Sequence, residues 1–358
     1  MIYLLAPAPK AQISGGFRVN EMLRKGLTTT GTGAGIYALS QQVPEKILTL
    51  PSASPAHIVL DSLYLTTLNP ARLSCALSSR NHPTYLYFLL HFLPCMDPFL
   101  SSAERKTLQK KEHALLALAD TVIVPGPTLA SYLKSESLYA GPIRHCPPGI
   151  EFTESGTPQP DPWKKDSRPR LITLGTLSRS KGQLEILSHL QQINPVFKGT
   201  WRLFGDLHRE PDIHHRFKRK LRNSELKKSI HVCHGIPHSL IGPSLRGADL
   251  LVSASCFESY GMAIAEAAAM GVPVLAYQVG ETQQWIKEGE NGFLIPRGDR
   301  KKFAATLAEL LYHPKKLLLL KQQAQKNPVG AFFPTWEITF QYFLAIFKKQ
   351  EPPKTFYG

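Results

Sequence analysis

Two glutamates eight positions apart, Glu258 and Glu266, lie in the stretch FESYGMAIAEAAAMGVPVLA at residues 257–276. The preceding DLLVSAS predicts a strand, CFES a turn, and the alanine-rich segment a helix that begins near Gly261. Peptide N–H groups at a helix start have no partner within the helix and bind phosphate or sugar oxygens well. Because a carboxylate accepts hydrogen bonds from two adjacent hydroxyls, Glu266 suits a ribose and Glu258 a sugar hydroxyl. The spacing therefore predicts that the glutamates bracket a nucleotide-sugar, and the alternative is an ordinary packed helix with Glu266 in solvent.

Cationic residues in a second strand, loop and helix segment fit the same ligand. In LITLGTLSRSKGQLEIL, residues 171–187, Arg179 and Lys181 come just before the predicted helix. Cations at this place neutralise a departing diphosphate, which is the electrostatic help that glycosyl transfer most needs. A surface lysine without a ligand is the alternative interpretation of Lys181.

The first half of the chain holds a weaker phosphate-loop signal. Gly15 and Gly16 follow the first predicted strand and open the next helix, a pattern that is also common in ordinary turns. The segment lacks both the G-x-G-x-x-G and the G-x-x-x-x-G-K-[ST] spacing, which disfavours a Rossmann dehydrogenase and a P-loop nucleotidase. His91 ends the predicted strand YLYFLLH and would face a ligand in a cleft, and a satisfied core histidine is an equally good interpretation.

Alternating strand-like and helix-like segments position these residues, and this alternation is typical of an α/β protein with parallel sheets. A chain of 358 residues exceeds one ordinary core, so we expect two doubly wound, Rossmann-like domains, 1–165 and 166–333, with the ligand in the cleft that they face. The Pro-, Ser- and Gly-rich stretch 152–169 predicts the linker, and 334–358 a helix and tail that pack back across the domain junction. The predicted strands are residues 2–6, 57–65, 85–91, 121–125 and the run into 146, then 170–175, 200–205, 229–235, 249–255, 273–277 and 292–296.

Charge and composition limit which binding partners and which cellular compartment we expect. The formal net charge is +15, and the run RFKRKLRNSELKK, Arg216 to Lys228, predicts a basic helix. Such a surplus attracts nucleic acid, anionic lipid or anionic metabolites, or forms only a solvated helix face. No apolar run is long enough to span a membrane, and MIYLLAPAPK has no basic region before its apolar run, so we expect a cytoplasmic protein. The five cysteines have no C-x-x-C spacing, which argues against disulfides and a zinc site, and we expect them to be buried.

Together these motifs resemble the retaining glycosyltransferases of family 4, which have the GT-B fold of two Rossmann-like domains. ESYGMAIAEAAAMGVPVLA is similar to the family's E-x7-E signature, and VGETQQWIKEGENGFLIP is similar to its usual continuation. WRLFGD and HVCHGI stand where the family has its nucleotide-binding strands. The first half resembles the family more loosely, through GGFRVNEML, HFLP, ADTVIVPGPTLASYL and PPGIEF.

The resemblance implies a role for each candidate residue. Glu266 would bind the ribose, Glu258 the donor sugar and Lys181 the diphosphate. Gly16 would approach the diphosphate from the opposite domain, and His91 would contact the transferring sugar. The further donor-binding positions that it implies are Arg179, Gly205, Ser259, Gly261 and Met262.

The implied reaction moves a hexose from a nucleotide-diphosphate sugar to a hydroxyl of a carbohydrate or lipid-linked acceptor, with retention of configuration and without a metal or other cofactor. One departure is Thr176, which stands where the family usually has an arginine, so Arg179 supplies that charge or the protein is a degenerate donor-binding one.

A nucleotide-sugar epimerase and a phosphorylase of the same fold are alternative functions. Charge alone suggests a nucleic-acid-binding protein, which is disfavoured because the basic run has a single aromatic residue. The basic surplus also suggests reversible docking on an anionic membrane surface, on its cytoplasmic face.

Overall fold

The computed structural model describes residues 1–8, 15–51, 55–150, 163, 168–193, 197–326 and 329–348. The chain forms two compact units. Unit 1 consists of Met1–Gly149 together with Pro334–Gly358, and unit 2 consists of Ile150–Phe333. Apart from residues 163, 168 and 169, the predicted linker at 152–169 lies outside the described residues.

Unit 1 is an α/β unit with one six-stranded parallel sheet. Its strands are β1 (Ile2–Ala6), β2 (Gly33–Tyr37), β3 (Ala56–Asp61), β4 (Thr84–Leu89), β5 (Thr121–Val124) and β6 (Ile143–His145). Its helices are α1 (Gly15–Thr30), α2 (Val43–Leu48), α3 (Pro70–Ser78), α4 (Ser102–Leu116), α5 (Pro127–Ser135) and, after unit 2 in the chain, α12 (Trp336–Lys348). The strand order β2-β1-β3-β4-β5-β6 reverses direction between β1 and β3, so the carboxyl ends of these two strands flank a topological switch point.

Two features of this sheet differ from the sequence-based expectation. Strand β2 was not predicted, because GAGIY contains two glycines and one β-branched residue and reads as a turn. The strand predicted at 57–65 ends at Asp61, because the Asp61 carboxylate accepts a hydrogen bond from the backbone N–H of Leu63 at 2.6 Å and starts a 3-10 turn. This early end places Asp61 at the carboxyl edge of the sheet.

Unit 2 is a second α/β unit with its own six-stranded parallel sheet. Its strands are β7 (Arg170–Leu174), β8 (Thr200–Phe204), β9 (Ile230–Cys233), β10 (Leu250–Ser253), β11 (Val274–Tyr277) and β12 (Gly292–Ile295). Its helices are α6 (Gln183–Ile193), α7 (Pro211–Arg222), α8 (His238–Gly247), α9 (Met262–Ala269), α10 (Arg300–Tyr312) and α11 (Pro314–Lys326). The order β12-β11-β10-β7-β8-β9 puts the switch point of this sheet between β7 and β10.

The basic run predicted as one helix, Arg216 to Lys228, is divided in the structure. Helix α7 ends at Arg222, and a 3-10 turn over Glu225–Lys228 begins with Ser224, whose hydroxyl accepts the backbone N–H of Leu226 at 3.2 Å. A serine hydroxyl that caps a new turn competes with continuation of the helix, which explains the break.

The central strands of both units are mostly buried because helices cover the faces of each parallel sheet, whereas the edge strands β2, β6 and β9 are more exposed. The five residues of β1 are all buried, and separate apolar clusters fill the two units. A helix, α12, lies within the predicted tail segment 334–358 and packs against α1 of unit 1. Phe343 on α12 is fully buried, and the hydroxyl of Thr339 donates to the carbonyl of Pro147 at 2.9 Å.

Within the described residues, the longest and most apolar helices fall short of what is needed to cross a membrane. The cysteines are free, but the expectation that all five are buried is wrong for Cys75, which is exposed near the end of α3. Cys95 and Cys146 are buried, whereas Cys233 and Cys256 are partly buried.

Candidate functional site

The loops after β7 and β10, residues 175–182 and 254–261, lie at the switch point of unit 2 and are joined by backbone contacts. The N–H of Cys256 donates to the carbonyl of Ser180 at 2.9 Å. Gly182 has a φ of +70°, and a Cβ at this position would lie 2.2 Å from the carbonyl oxygen of Ala254. This left-handed conformation and the close approach together require glycine at residue 182.

Lys181 and Glu258 meet across these two loops. The Nζ atom of Lys181 lies 2.5 Å from Oε1 of Glu258, although the residues are 77 positions apart in the chain. The side chains are 29% and 16% exposed, so the pair is shielded from solvent but remains accessible to a ligand. The sequence identified both residues, and the structure shows that they form a direct ion pair.

Glycine also begins the helix that carries the second glutamate. Gly261 has a φ of +98° and is the N-cap of α9, and its carbonyl accepts the N–H groups of Ile264 and Ala265. Glu266 lies in the second turn of α9 and is partly buried. Ser259 and Met262, on either side of this helix start, are also partly buried. The residues of the E-x7-E segment therefore follow β10 directly, at the carboxyl edge of the sheet.

The loop after β7 is also held against the loop after β8. The N–H of Leu177 donates to the carbonyl of Asp206 at 2.8 Å, and a Cβ at Gly205 would lie 2.0 Å from the carbonyl oxygen of Gly175. Gly205 therefore permits close packing of two loops, a structural requirement that does not depend on a ligand. Thr176 is partly buried, and its carbonyl accepts a hydrogen bond from the side chain of Gln183 at 2.9 Å.

Arg179 is exposed on the same loop. Its backbone N–H donates to the carboxylate of Glu210 at 3.0 Å, which fixes the position of the main chain there. The structure thus places Arg179 two residues before Lys181, on the segment between β7 and α6.

In unit 1, Gly16 and His91 lie in direct contact. A Cβ at Gly16 would come within 3.0 Å of ring atoms Cγ and Cδ2 of His91. Gly16 is the second residue of α1, and His91 follows the end of β4 by two residues. Glycine at residue 16 therefore leaves space for the imidazole ring of His91.

Two further residues of this cluster, Asn20 and Asp61, were not singled out from the sequence. The Nε2 atom of His91 lies 3.0 Å from Oδ1 of Asn20 and 3.5 Å from Oδ2 of Asp61. Asp61 is fully buried. Two features of the sequence could have identified them. Asn20 lies one helical turn after Gly16, and Asp61 ends β3, the strand that pairs with β4, which precedes His91.

The electrostatics of this cluster favour an ionised Asp61. Burial alone opposes ionisation of its carboxyl group. The neighbouring His91 ring and the hydrogen bonds from the Leu63 N–H and the Asn20 amide outweigh burial, and they hold the pKa of Asp61 below its ordinary value. Asp61 is thus a buried hydrogen-bond acceptor at the switch point of unit 1.

Residues 158–327 match the family model described as Glycosyl transferases group 1. The D-inositol 3-phosphate glycosyltransferase of Thermobispora bispora is 39% identical over 82 residues, which are 23% of this chain and 19% of that protein. The putative glycosyltransferase EpsD of Bacillus subtilis is 34% identical over 103 residues, 29% of this chain and 27% of that protein. The aligned stretches thus span only 19% and 27% of these two curated relatives.

Solved structures show the same fold over almost the whole chain. Sucrose-phosphate synthase from Thermosynechococcus elongatus has a TM-score of 0.77 at 20% identity and covers 97% of this chain and 98% of its own. Anabaena HepE in complex with UDP-glucose has a TM-score of 0.74 at 16% identity and covers 97% and 99%. The protein therefore has the two-domain α/β GT-B fold, and its residues 158–327 match the group 1 glycosyl transferases.

Proposed function

We propose that this protein is a retaining glycosyltransferase of family 4 that moves a hexose from a nucleotide-diphosphate sugar to an acceptor hydroxyl. The observation that carries the proposal is the 2.5 Å pair of Lys181 and Glu258 at the switch point of a sheet that lies within the matched region. Ligands of open α/β sheets bind outside the carboxyl ends of the strands at such a point. The complex of the HepE structure with UDP-glucose supports a nucleotide-sugar as the ligand class.

Each residue of unit 2 has a distinct part in the proposed mechanism. Lys181 stabilises the negative charge that develops on the diphosphate as it leaves. Glu258 holds a hydroxyl of the donor sugar, and its contact with Lys181 keeps both groups in position before a ligand binds. Glu266 accepts hydrogen bonds from the two ribose hydroxyls, and the start of α9 at Gly261 offers N–H groups to an oxygen of the ligand. Gly205, Ser259 and Met262 complete the donor-binding surface in this proposal.

The remaining parts of the proposal concern unit 1 and the course of the reaction. His91 contacts the transferring sugar, and Gly16 lets the chain approach the diphosphate. Departure and attack take place on the same face of the sugar, which gives retention, and the acceptor is a carbohydrate or lipid-linked hydroxyl. Charge on the leaving diphosphate is balanced by Lys181 and Arg179, with no metal ion required.

Binding of a nucleotide diphosphate is the first test. We expect one of UDP, GDP, ADP and CDP to raise the melting temperature of the protein, with UDP as the leading candidate. A ligand at 100 times its dissociation constant adds about 2.7 kcal/mol to the free energy of unfolding, which gives a clear shift. Glu266→Ala should lose this shift because the ribose loses its acceptor. Differential scanning fluorimetry with each nucleotide and its sugar measures both effects.

Glu309→Ala is the matched control, because Glu309 also lies on a helix of unit 2 but pairs with Lys316 on the surface. This variant should retain the full shift. If no nucleotide stabilises the wild-type protein, the donor site is not functional, and a degenerate protein altered at Thr176 becomes the better interpretation. If a nucleotide-sugar binds and is interconverted without an acceptor, the protein is an epimerase.

We also propose that helix α7 brings the protein to anionic membrane surfaces. Ile213 and Phe217 are buried on one face of this helix. The opposite face exposes a set of cations: Arg216, Lys218, Arg219 and Arg222. Each basic residue near such a surface contributes about 1 kcal/mol, so co-sedimentation should be stronger with anionic than with neutral vesicles and should weaken when these four residues are changed to glutamine. Equal recovery with both kinds of vesicle would contradict this proposal.

A further inference from the structure

The His91 side chain is the end of a hydrogen-bonded chain that begins at a buried carboxylate. Asp61 is fully buried, and its Oδ2 atom accepts a hydrogen bond from the side-chain amide of Asn20. The Oδ1 atom of Asn20 lies 3.0 Å from Nε2 of His91. Asn20 is itself buried, with 5% of its surface exposed, so these bonds are largely shielded from water.

The donor and acceptor roles along this chain are fixed by chemistry. An ionised carboxylate only accepts hydrogen bonds, so Asn20 must turn its amide nitrogen towards Asp61. The amide oxygen of Asn20 then faces His91, and because this oxygen is only an acceptor, Nε2 of His91 must carry a proton. In the neutral ring, the other nitrogen, Nδ1, is left as an acceptor.

A second path from Asp61 fixes the backbone of His91. The backbone N–H of His91 donates to the hydroxyl of Ser62 at 3.1 Å, and that hydroxyl lies 3.5 Å from Oδ1 of Asp61. A Cβ at Gly16 would lie 3.0 Å from ring atoms Cγ and Cδ2, so the backbone of Gly16 packs closely against the ring. The imidazole is therefore held through its ring nitrogen, its backbone and its contact with Gly16.

We infer that Asn20 and Asp61 are positioning residues that hold His91 as the Nε2–H tautomer, so that the neutral ring presents Nδ1 to accept a hydrogen bond from a hydroxyl of the transferring sugar. The part played by the sugar rests on the proposed function, whereas the tautomer does not. Residues that orient a histidine through its second nitrogen commonly control which nitrogen acts on a ligand.

Replacement of one carboxylate oxygen of Asp61 by an amide nitrogen should invert the tautomer of His91. In Asp61→Asn, the oxygen stays where it accepts the Leu63 N–H, now 2.6 Å away, and the new amide nitrogen takes the place of Oδ2. Two amide nitrogens would then face each other, so Asn20 must flip and turn its own nitrogen towards His91. The Nε2 atom of His91 then has to accept, and the proton moves to Nδ1.

Nitrogen-15 NMR of protein labelled at histidine measures the tautomer directly. Spectra are recorded on the alkaline plateau of the His91 signal, which is assigned by its loss in His91→Gln. We expect a protonated Nε2 and an unprotonated Nδ1 in the wild-type protein, and the reverse in Asp61→Asn. A wild-type ring protonated at Nδ1, or a folded Asp61→Asn variant with the wild-type pattern, would overturn the inference.

Two further variants provide a matched control and a substitute for Asp61→Asn. Asp120→Asn is the matched control, because Asp120 also accepts a backbone N–H in unit 1, that of Leu86 at 2.7 Å, and should leave His91 unchanged. If Asp61→Asn does not fold, Asn20→Leu serves in its place, since leucine has a similar shape and no polar atoms. The Asp61 carboxylate, 3.5 Å from Nε2, is then the remaining acceptor, so His91 should stay protonated at Nε2, and a ring protonated at Nδ1 would count against the inference.

Activity separates this inference from the proposed function. With transfer established for the wild-type protein, Asp61→Asn should lower kcat by about 10-fold or more, because the ring then offers a donor where an acceptor is needed. Nucleotide-induced stabilisation should be unchanged, because the proposed function gives Asp61 no contact with the nucleotide. An inverted tautomer with unchanged kcat refutes the contact between Nδ1 and the sugar. Absence of transfer by the wild-type protein refutes the proposed function and leaves the tautomer result in place.

Discussion

Lys181→Met is expected to lower the rate of sugar transfer by roughly 10²- to 10³-fold, the loss typical when one preorganised group that stabilises developing charge is removed. Methionine keeps most of the length of the side chain and removes the ammonium group. The carboxylate of Glu258 then loses its partner at 2.5 Å, so the diphosphate meets a net negative charge. Steady-state kinetics with the donor that stabilises the protein most should show the loss in kcat.

Lys316→Met provides a closely matched control for this variant. Lys316 and Glu309 form a pair with the same Nζ to Oε1 distance of 2.5 Å, also in unit 2, but their side chains are about half exposed. An exposed pair contributes about 0–1 kcal/mol, so this variant should have near wild-type activity and stability. Equal activity of the two variants would show that the Lys181–Glu258 pair is structural and takes no part in transfer.

Gly182→Ala should destabilise the protein by about 3 kcal/mol or more, because the new Cβ is forced against backbone and not against a movable side chain. The Cβ would lie 2.2 Å from the carbonyl oxygen of Ala254, and the φ of +70° adds conformational strain. Separation of the two loops would also displace Lys181, the preceding residue. Urea denaturation of the full-length protein measures the change in the free energy of unfolding.

Gly289→Ala isolates the contact from the strain. Gly289 has a similar φ of +77°, but a Cβ there meets no described atom within 4 Å. This control should lose only about 1 kcal/mol. Equal losses in the two variants would mean that strain alone accounts for the effect and that the contact with Ala254 relaxes without cost.

The sequence was most informative where one local pattern determines both an element and a site. Each predicted strand segment contains a strand, and Lys181 and Glu258 lie in the loops directly after two of them, as the alternation of apolar runs and loops indicated. Their contact could not be predicted, because the order of strands that brings β7 beside β10 depends on packing over the whole unit. Likewise β2, an edge strand with two glycines, is stabilised by pairing with β1 and not by its own composition.

Glycines show a second limit of sequence reasoning. Gly16 and Gly205 were assigned to the ligand by the family resemblance, and a missing side chain would permit close approach of a ligand. The structure shows that each also has a close neighbour inside its own unit, the His91 ring and the Gly175 carbonyl respectively. Both needs give the same residue type, so sequence alone cannot separate them. Asn20 and Asp61 were missed for a different reason. The residues of a buried hydrogen-bonded chain have no regular spacing in the sequence that would mark them.

The division of unit 1 in the chain has a consequence for biosynthesis. Because α12 follows all of unit 2, the ribosome delivers every residue of unit 2 before the helix that covers α1. Unit 2 can therefore complete its core while the chain is still being made. The apolar surface that later buries Phe343 stays uncovered for that whole time, and transiently exposed apolar surface of this kind favours aggregation of the nascent chain.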